Sequence, residues 1–139
     1  MNLAAVTTSF HVGTHADAPL HVHDGWPASE ALELDAFVGP ARVISLPADW
    51  PLTQDIDVMH VIDLLGGIVP LRVLLRTGYT VATGVFPADW PCLTRDAAEW
   101  LSNQGLRLWG VDAPSVDRRE SKTLDVHHAL LGNNAFVLE

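Results

Sequence analysis

Residues 11–21 read HVGTHADAPLH, and their alternation constrains the fold more tightly than any other stretch. From Phe10 to Leu20 the even positions carry Val12, Thr14, Ala16, Ala18 and Leu20, and the odd positions carry His11, Gly13, His15, Asp17 and Pro19. Successive side chains of an extended segment point to opposite faces. A period of two therefore predicts that the small apolar set faces a core while His11, His15 and Asp17 share the other side. A helix would align His11 with His15 but turn Asp17 away, and Gly13 and Pro19 both disfavour it. The expectation is a strand that runs into a loop near Pro19.

The rest of the chain alternates strand and helix signals. ARVISL (41–46) and RVLLRTG (72–78) are short β-branched or leucine-rich runs bounded by Gly and Pro, the pattern of buried strands. Between them DIDVMHVIDLLGG places Ile56, Met59, Val61, Ile62 and Leu65 at roughly helical spacing and ends in Gly66-Gly67, a plausible C-cap. A second helix follows Thr94 as N-cap, with Asp96 in its first turn, Ala97 and Leu101 on one face, and Gly105 closing it. LRLWGVD (106–112) predicts a strand, APSVDRRESK a polar loop, and AFVLE a final strand. The class is therefore α/β or α+β. The pentapeptide PADWP occurs twice, at 47–51 and 87–91, which is too few copies for a solenoid and predicts a repeated loop.

A chain of 139 residues is sized for one domain, residues 1–139. With 48% apolar and only 18% charged residues it can fill a packed core. A net charge of −9 disfavours a grip on nucleic acid or anionic lipid, both of which depend on clustered Lys and Arg. No apolar run approaches the ~20 residues that span a bilayer, so no membrane segment is expected. Cys92 is the only cysteine, which excludes an internal disulfide and a thiolate zinc cluster and makes the cytoplasm the expected location.

The histidine-rich stretch carries the chemistry. Imidazole nitrogens and carboxylate oxygens suit zinc and, with more oxygen, manganese, and a sulfur-free set fits a catalytic ion better than a structural one. His11, His15 and Asp17 offer three such ligands. Gly13 permits close approach of backbone or another group, and Pro19 stiffens the turn that aims His21. A lone histidine is ordinarily a surface or hydrogen-bonded residue, and His23 and His60 are assigned that reading. Three on one face with an aspartate point the other way. Asp112 and Ser115, after a predicted strand, are candidates to orient a ligand imidazole, although turn formation explains them nearly as well.

HVGTHADAPLH resembles the signature H-x-G-T-H-x-D-x-P-x-H of the cyclase family of metal-dependent hydrolases. GVDAPSVDRRESKTLDVHHALLGNNAFVLE resembles the C-terminal half of bacterial-type kynurenine formamidases, or arylformamidases. The resemblance runs from Ser9 onward. It implies a swivelling β/β/α fold with a mixed sheet, here lacking the family's first and last strands and so truncated at both ends. It implies two zinc ions per subunit, with manganese as the alternative. His11, His15 and Asp17 would hold the first, and Asp17, His127 and Glu139 the second; His128 competes with His127, but the spacing to Glu139 selects His127. His21 matches the family's proton donor and acceptor. The implied reaction is hydrolysis of a small aryl formamide, N-formyl-L-kynurenine, to L-kynurenine and formate in tryptophan degradation, by a homo-oligomer, usually a dimer. The alternatives are another substrate, as in the related isatin hydrolases, and a truncated fragment that binds metal or a subunit partner without catalysis.

Overall fold

The computed structural model describes residues 2–139. Five strands form one mixed sheet in the order β1-β5-β4-β3-β2, with β1 at Ala16–Asp17, β2 at Arg42–Ser45, β3 at Arg72–Arg76, β4 at Leu108–Val111 and β5 at Phe136–Leu138. Strands β2 to β5 run parallel, and β1 pairs antiparallel with β5. Helices α1 (Val58–Leu65), α2 (Arg95–Asn103) and α3 (Asp125–Leu131) supply the three crossovers that parallel neighbours require.

The helix ends follow local chemistry. Asp57 caps α1 in a reciprocal box with His60, and Gly66 ends it at φ 63°, a left-handed turn that costs glycine little. Thr94 caps α2 by accepting from Ala97 N, and Ala97, Ala98 and Leu101 bury the inner face. Helix α3 has no local side-chain cap, since its N-cap residue is Leu124, held at φ 48°. That helix departs from the polar-loop-then-strand pattern expected from sequence. The preceding loop is also less polar in place than in composition, because Ala113, Val116 and Asp117 are buried.

The helices pack in the order α1, α2, α3 over one face of the sheet, where Val61, Leu65, Leu101 and Leu130 meet Val73, Trp109 and Val137 in the core. The pairing register runs Val73, Trp109, Val137, Asp17 across four strands, and every member is at most 1% exposed. The adjacent row of Val43, Leu74, Gly110, Leu138 and Ala16 lies on the opposite face, with Val43 63% exposed.

This register corrects the expectation for residues 10–20. Only Ala16–Asp17 is strand, residues 10–14 bend, and Pro19–His21 form a 3₁₀ turn. The apolar even set does not face the core: Val12 and Leu20 are exposed, whereas Asp17 and Pro19 are buried. The alternation is present, but Asp17 takes the inward side because its pairing with Val137 continues the buried row of the sheet.

Candidate metal site

The residue before β1 and the residue after β5 are tied together, and this builds the site. His15 and Glu139 exchange backbone hydrogen bonds of 2.9 and 3.0 Å at the β1–β5 edge, so the early histidine segment and Glu139 lie side by side. Glu139 is held further by Val116 N, which donates to its Oε2 at 2.8 Å. Asp17 is the centre. Its Oδ1 lies 3.1 Å from His11 Nδ1 and 3.3 Å from His15 Nε2, while its Oδ2 lies 3.1 Å from His127 Nε2. The carboxylate of Glu139 reaches within 3.7 Å of the same His127 nitrogen.

Several backbone choices aim these groups. Gly13 sits at φ 70°, where a side chain would be strained, and its carbonyl faces His15 Nδ1 at 2.9 Å. With a proton on Nδ1, His15 presents Nε2 toward Asp17. The 3₁₀ turn begins with Pro19, and it brings His21 to within 4.1 Å of His11 and 5.8 Å of His127 between ring centroids.

The titration behaviour follows from this crowding. Burial opposes ionisation of Asp17, but the hydrogen bond and charge of His127, with His21 and His11 nearby, hold its carboxyl below the ordinary range. Burial likewise opposes a charge on His127, yet the carboxylates of Asp117, Asp17 and Glu139 outweigh it and push the imidazole up to about 11. Three carboxylates thus favour a proton on each nitrogen of His127, and a cation coordinated at Nε2 would have to displace the proton there. His21 moves the other way. Burial lowers it first, and the pull of Asp17 does not compensate fully against His11 and His127, so at neutral pH it is an uncharged base.

The donor set fits a cation. Asp17 Oδ1 is buried and has no hydrogen bond, although two imidazole nitrogens lie within 3.3 Å of it. A buried carboxylate oxygen without a hydrogen bond is costly unless a positive charge joins it and the imidazole nitrogens it faces. Two triads have ligand atoms mutually within 4.8 Å: His11, Asp17 and His21, and His15, Asp17 and Glu139. His21 therefore faces the same space as His11 and Asp17, within reach of a group held there.

The remaining histidines stand apart. His23 stacks on Trp26, His128 meets the same indole edge-on, and His60 is engaged in the α1 capping box. Asp112 does not orient a ligand imidazole: its carboxylate accepts from Thr77 N, Thr77 Oγ1 and Gly78 N at 2.6–3.0 Å and ties down the end of β3. Ser115 Oγ accepts from Asp117 N instead. The group that does contact His127 is Asp117, 4% exposed, at 2.6 Å from Nδ1. Nothing in the sequence distinguishes it from the neighbouring acids of the same polar stretch.

A cavity of about 350 Å³ opens beside the cluster, with His11, His15 and Glu139 on one side and Val81, Ala82 and Phe86 on the other.

A parallel sheet crossed by helices, with imidazoles and carboxylates gathered beside its antiparallel edge strand and a cavity, defines the class as an α/β protein with a candidate cation site. Within that class the family model described as "Putative cyclase" matches residues 3–118, and the chain belongs to that family. The kynurenine formamidases of Bordetella avium (strain 197N) and Bordetella pertussis (strain Tohama I) are each 40% identical to it over 139 residues, all of this chain and 65% of theirs. The chain thus spans just under two thirds of the length of these curated relatives. Among solved structures, a protein described as a potential metal-dependent hydrolase with cyclase activity superposes with a TM-score of 0.78 at 25% identity, over 96% of this chain and 63% of the other. Isatin hydrolase A from Labrenzia aggregata superposes at 0.73 with 22% identity, over 95% and 60%, a likeness of fold alone.

Proposed function

We propose that this protein is a metal-dependent arylformamidase that hydrolyses N-formyl-L-kynurenine to L-kynurenine and formate, in tryptophan degradation. The observation that carries the reading is the Asp17 carboxylate, whose two oxygens are divided between His11 and His15 on one side and His127 on the other. Identity of 40% across this whole chain to curated kynurenine formamidases supports the substrate.

On this reading His11, His15 and Asp17 hold one cation, and Asp17, His127 and Glu139 a second, with zinc favoured over manganese by the three imidazoles. Cations held there would supply Lewis acidity toward water and the formyl carbonyl. The chain's own groups do the rest. The apolar wall of Val81, Ala82 and Phe86 accepts the aryl ring and turns the formamide toward the histidines. His21, uncharged at neutral pH, takes the proton of the attacking water and returns it to the departing aryl nitrogen. The enzyme acts as a homodimer in the cytoplasm, a reducing setting that suits the free, buried Cys92.

Zinc-loaded protein should release formate from N-formyl-L-kynurenine, and a chelator should bring this to background. His21→Ala should cut kcat at least ~100-fold with bound metal, measured by atomic absorption, unchanged. Turnover indifferent to chelation would overturn the reading.

A further inference from the structure

The geometry points to Asp117 as the positioning residue of His127: its carboxylate caps α3 and accepts a hydrogen bond from His127 Nδ1, leaving Nε2 as the nitrogen offered to the cluster. This rests on the metal-binding reading of the site.

The starting point is a helix without a local cap. Leu124 at the N-cap position of α3 has no oxygen to offer the free amides of the first turn, and its φ of 48° places it in a region a branched side chain rarely adopts. Asp117, separated from it by a loop, replaces that cap. Its Oδ1 accepts from Val126 N and its Oδ2 from His127 N, both at 3.1 Å. The same Oδ2 lies 2.6 Å from His127 Nδ1. One carboxylate thereby sets where the helix begins and how the ring on its first turn is oriented. A carboxylate can only accept, so Nδ1 keeps its proton toward Asp117, and Nε2, directed at Asp17 Oδ2 3.1 Å away, is the nitrogen that gives up its proton when a cation binds.

Asp117 is in turn fixed from behind by the second PADWP copy. The buried Trp90 donates its indole N–H to the Asp117 carbonyl at 3.1 Å. The next residue, Arg118, donates to Asp89 Oδ2 and to the Trp90 carbonyl at 2.9 and 3.1 Å. A motif that sequence patterning leaves as a repeated loop thus becomes the support for the ring orientation of His127. Carboxylates that orient a ligand imidazole in this way typically contribute about 10- to 100-fold to metal affinity.

The test separates positioning from folding. In Asp117→Asn the amide can still accept one α3 N–H, but it can also donate to Nδ1, which moves the ring proton to Nε2 and blocks that nitrogen. Zinc competition with a chromophoric chelator should show affinity weakened about 10- to 100-fold under conditions where circular dichroism shows the variant folded. Ser121→Ala, which loosens the approach to α3 by removing the hydroxyl that accepts from Leu124 N, should leave zinc affinity unchanged. A second measurement needs no variant: long-range ¹H–¹⁵N spectra of the zinc-loaded protein should place the His127 proton on Nδ1. A proton on Nε2, or Asp117→Asn binding zinc within twofold of wild type, would overturn the inference while leaving the metal site intact. Wild-type protein that takes up no zinc would instead overturn the site reading, and the inference with it.

Discussion

The two PADWP copies have the same five side chains and different surroundings. The first follows β2 and the second a 3₁₀ turn at Val81–Thr83, each precedes a helix, and the segments after them run side by side, joined through Ile56 N to Cys92 O and Thr94 N to Ile56 O at 2.8 and 3.0 Å. In the first copy Trp50 is half-buried, donates to the nearby Gln54 carbonyl at 3.0 Å and meets His60 edge-on; Asp49 is exposed. In the second, Trp90 is 1% exposed and reaches 27 residues along the chain to Asp117, while Asp89 is engaged by Arg118. Even the following position differs, since Leu52 is 41% exposed and Cys92 only 4%. The first copy is a local turn. The second is part of the support for the site, because Asp117 and Arg118, in the loop after β4, bond to Trp90 and Asp89, whereas the same loop reaches the first copy's segment only beyond its tryptophan, at Leu52 and Asp55.

The largest expected contrast is between the indoles. Trp90→Ala should lower unfolding free energy by about 3–5 kcal/mol through lost burial and a cavity, and Trp50→Ala by about 1–2 kcal/mol. Urea denaturation at unchanged m would measure both. Equal losses would break the comparison. The aspartates should differ less: Asp89→Ala should cost about 1 kcal/mol, since the pair with Arg118 is partly open to solvent, and Asp49→Ala within about 0.5 kcal/mol. A double-mutant cycle with Arg118→Ala should show coupling for position 89 and none for 49.

The smallest effect at neutral pH concerns the residue after each copy. Burial pushes the Cys92 thiol up to about 12, well above its unfolded value. A group raised in the folded state contributes its stability fully below the unfolded pKa, and that contribution drains away as pH climbs from about 8.5 toward about 12. Native protein at pH 9 should therefore resist a thiol reagent at Cys92. Leu52→Cys should react freely at position 52 in the same sample, as peptide mapping would resolve. Rapid native labelling of Cys92 would show that the second copy is no better packed than the first.

How much of this was legible beforehand depended on the range of the interactions. Strands β2 to β5, helices α1 and α2, and the caps Thr94 and Gly66 all follow from signals within a few residues. The gathering of His11, His15, Asp17, His21, His127 and Glu139 was an expectation of family resemblance, and the structure brings these side chains to one edge of the sheet. The inward face of residues 10–20 is not legible from polarity, because side-chain hydrophobicity does not choose it. Pairing with Val137 makes that choice, and the buried His127 imidazole, 3.1 Å from Oδ2, makes it tolerable for a carboxylate. Helix α3 was hidden because its first residues lack a cap of their own, and Asp117 was hidden because its partners lie nine and ten residues on.

By itself the sequence determined the alternation of strand and helix, the residue types fit for a cation, and the identical chemistry of the two pentapeptides, since periodicity and side-chain donors are local properties. Only the tertiary structure decided which face Asp17 takes, which aspartate meets His127, and which tryptophan supports the site. Those outcomes depend on hydrogen bonds and burial between segments far apart in the chain, whose energies exist only once the sheet has brought them together.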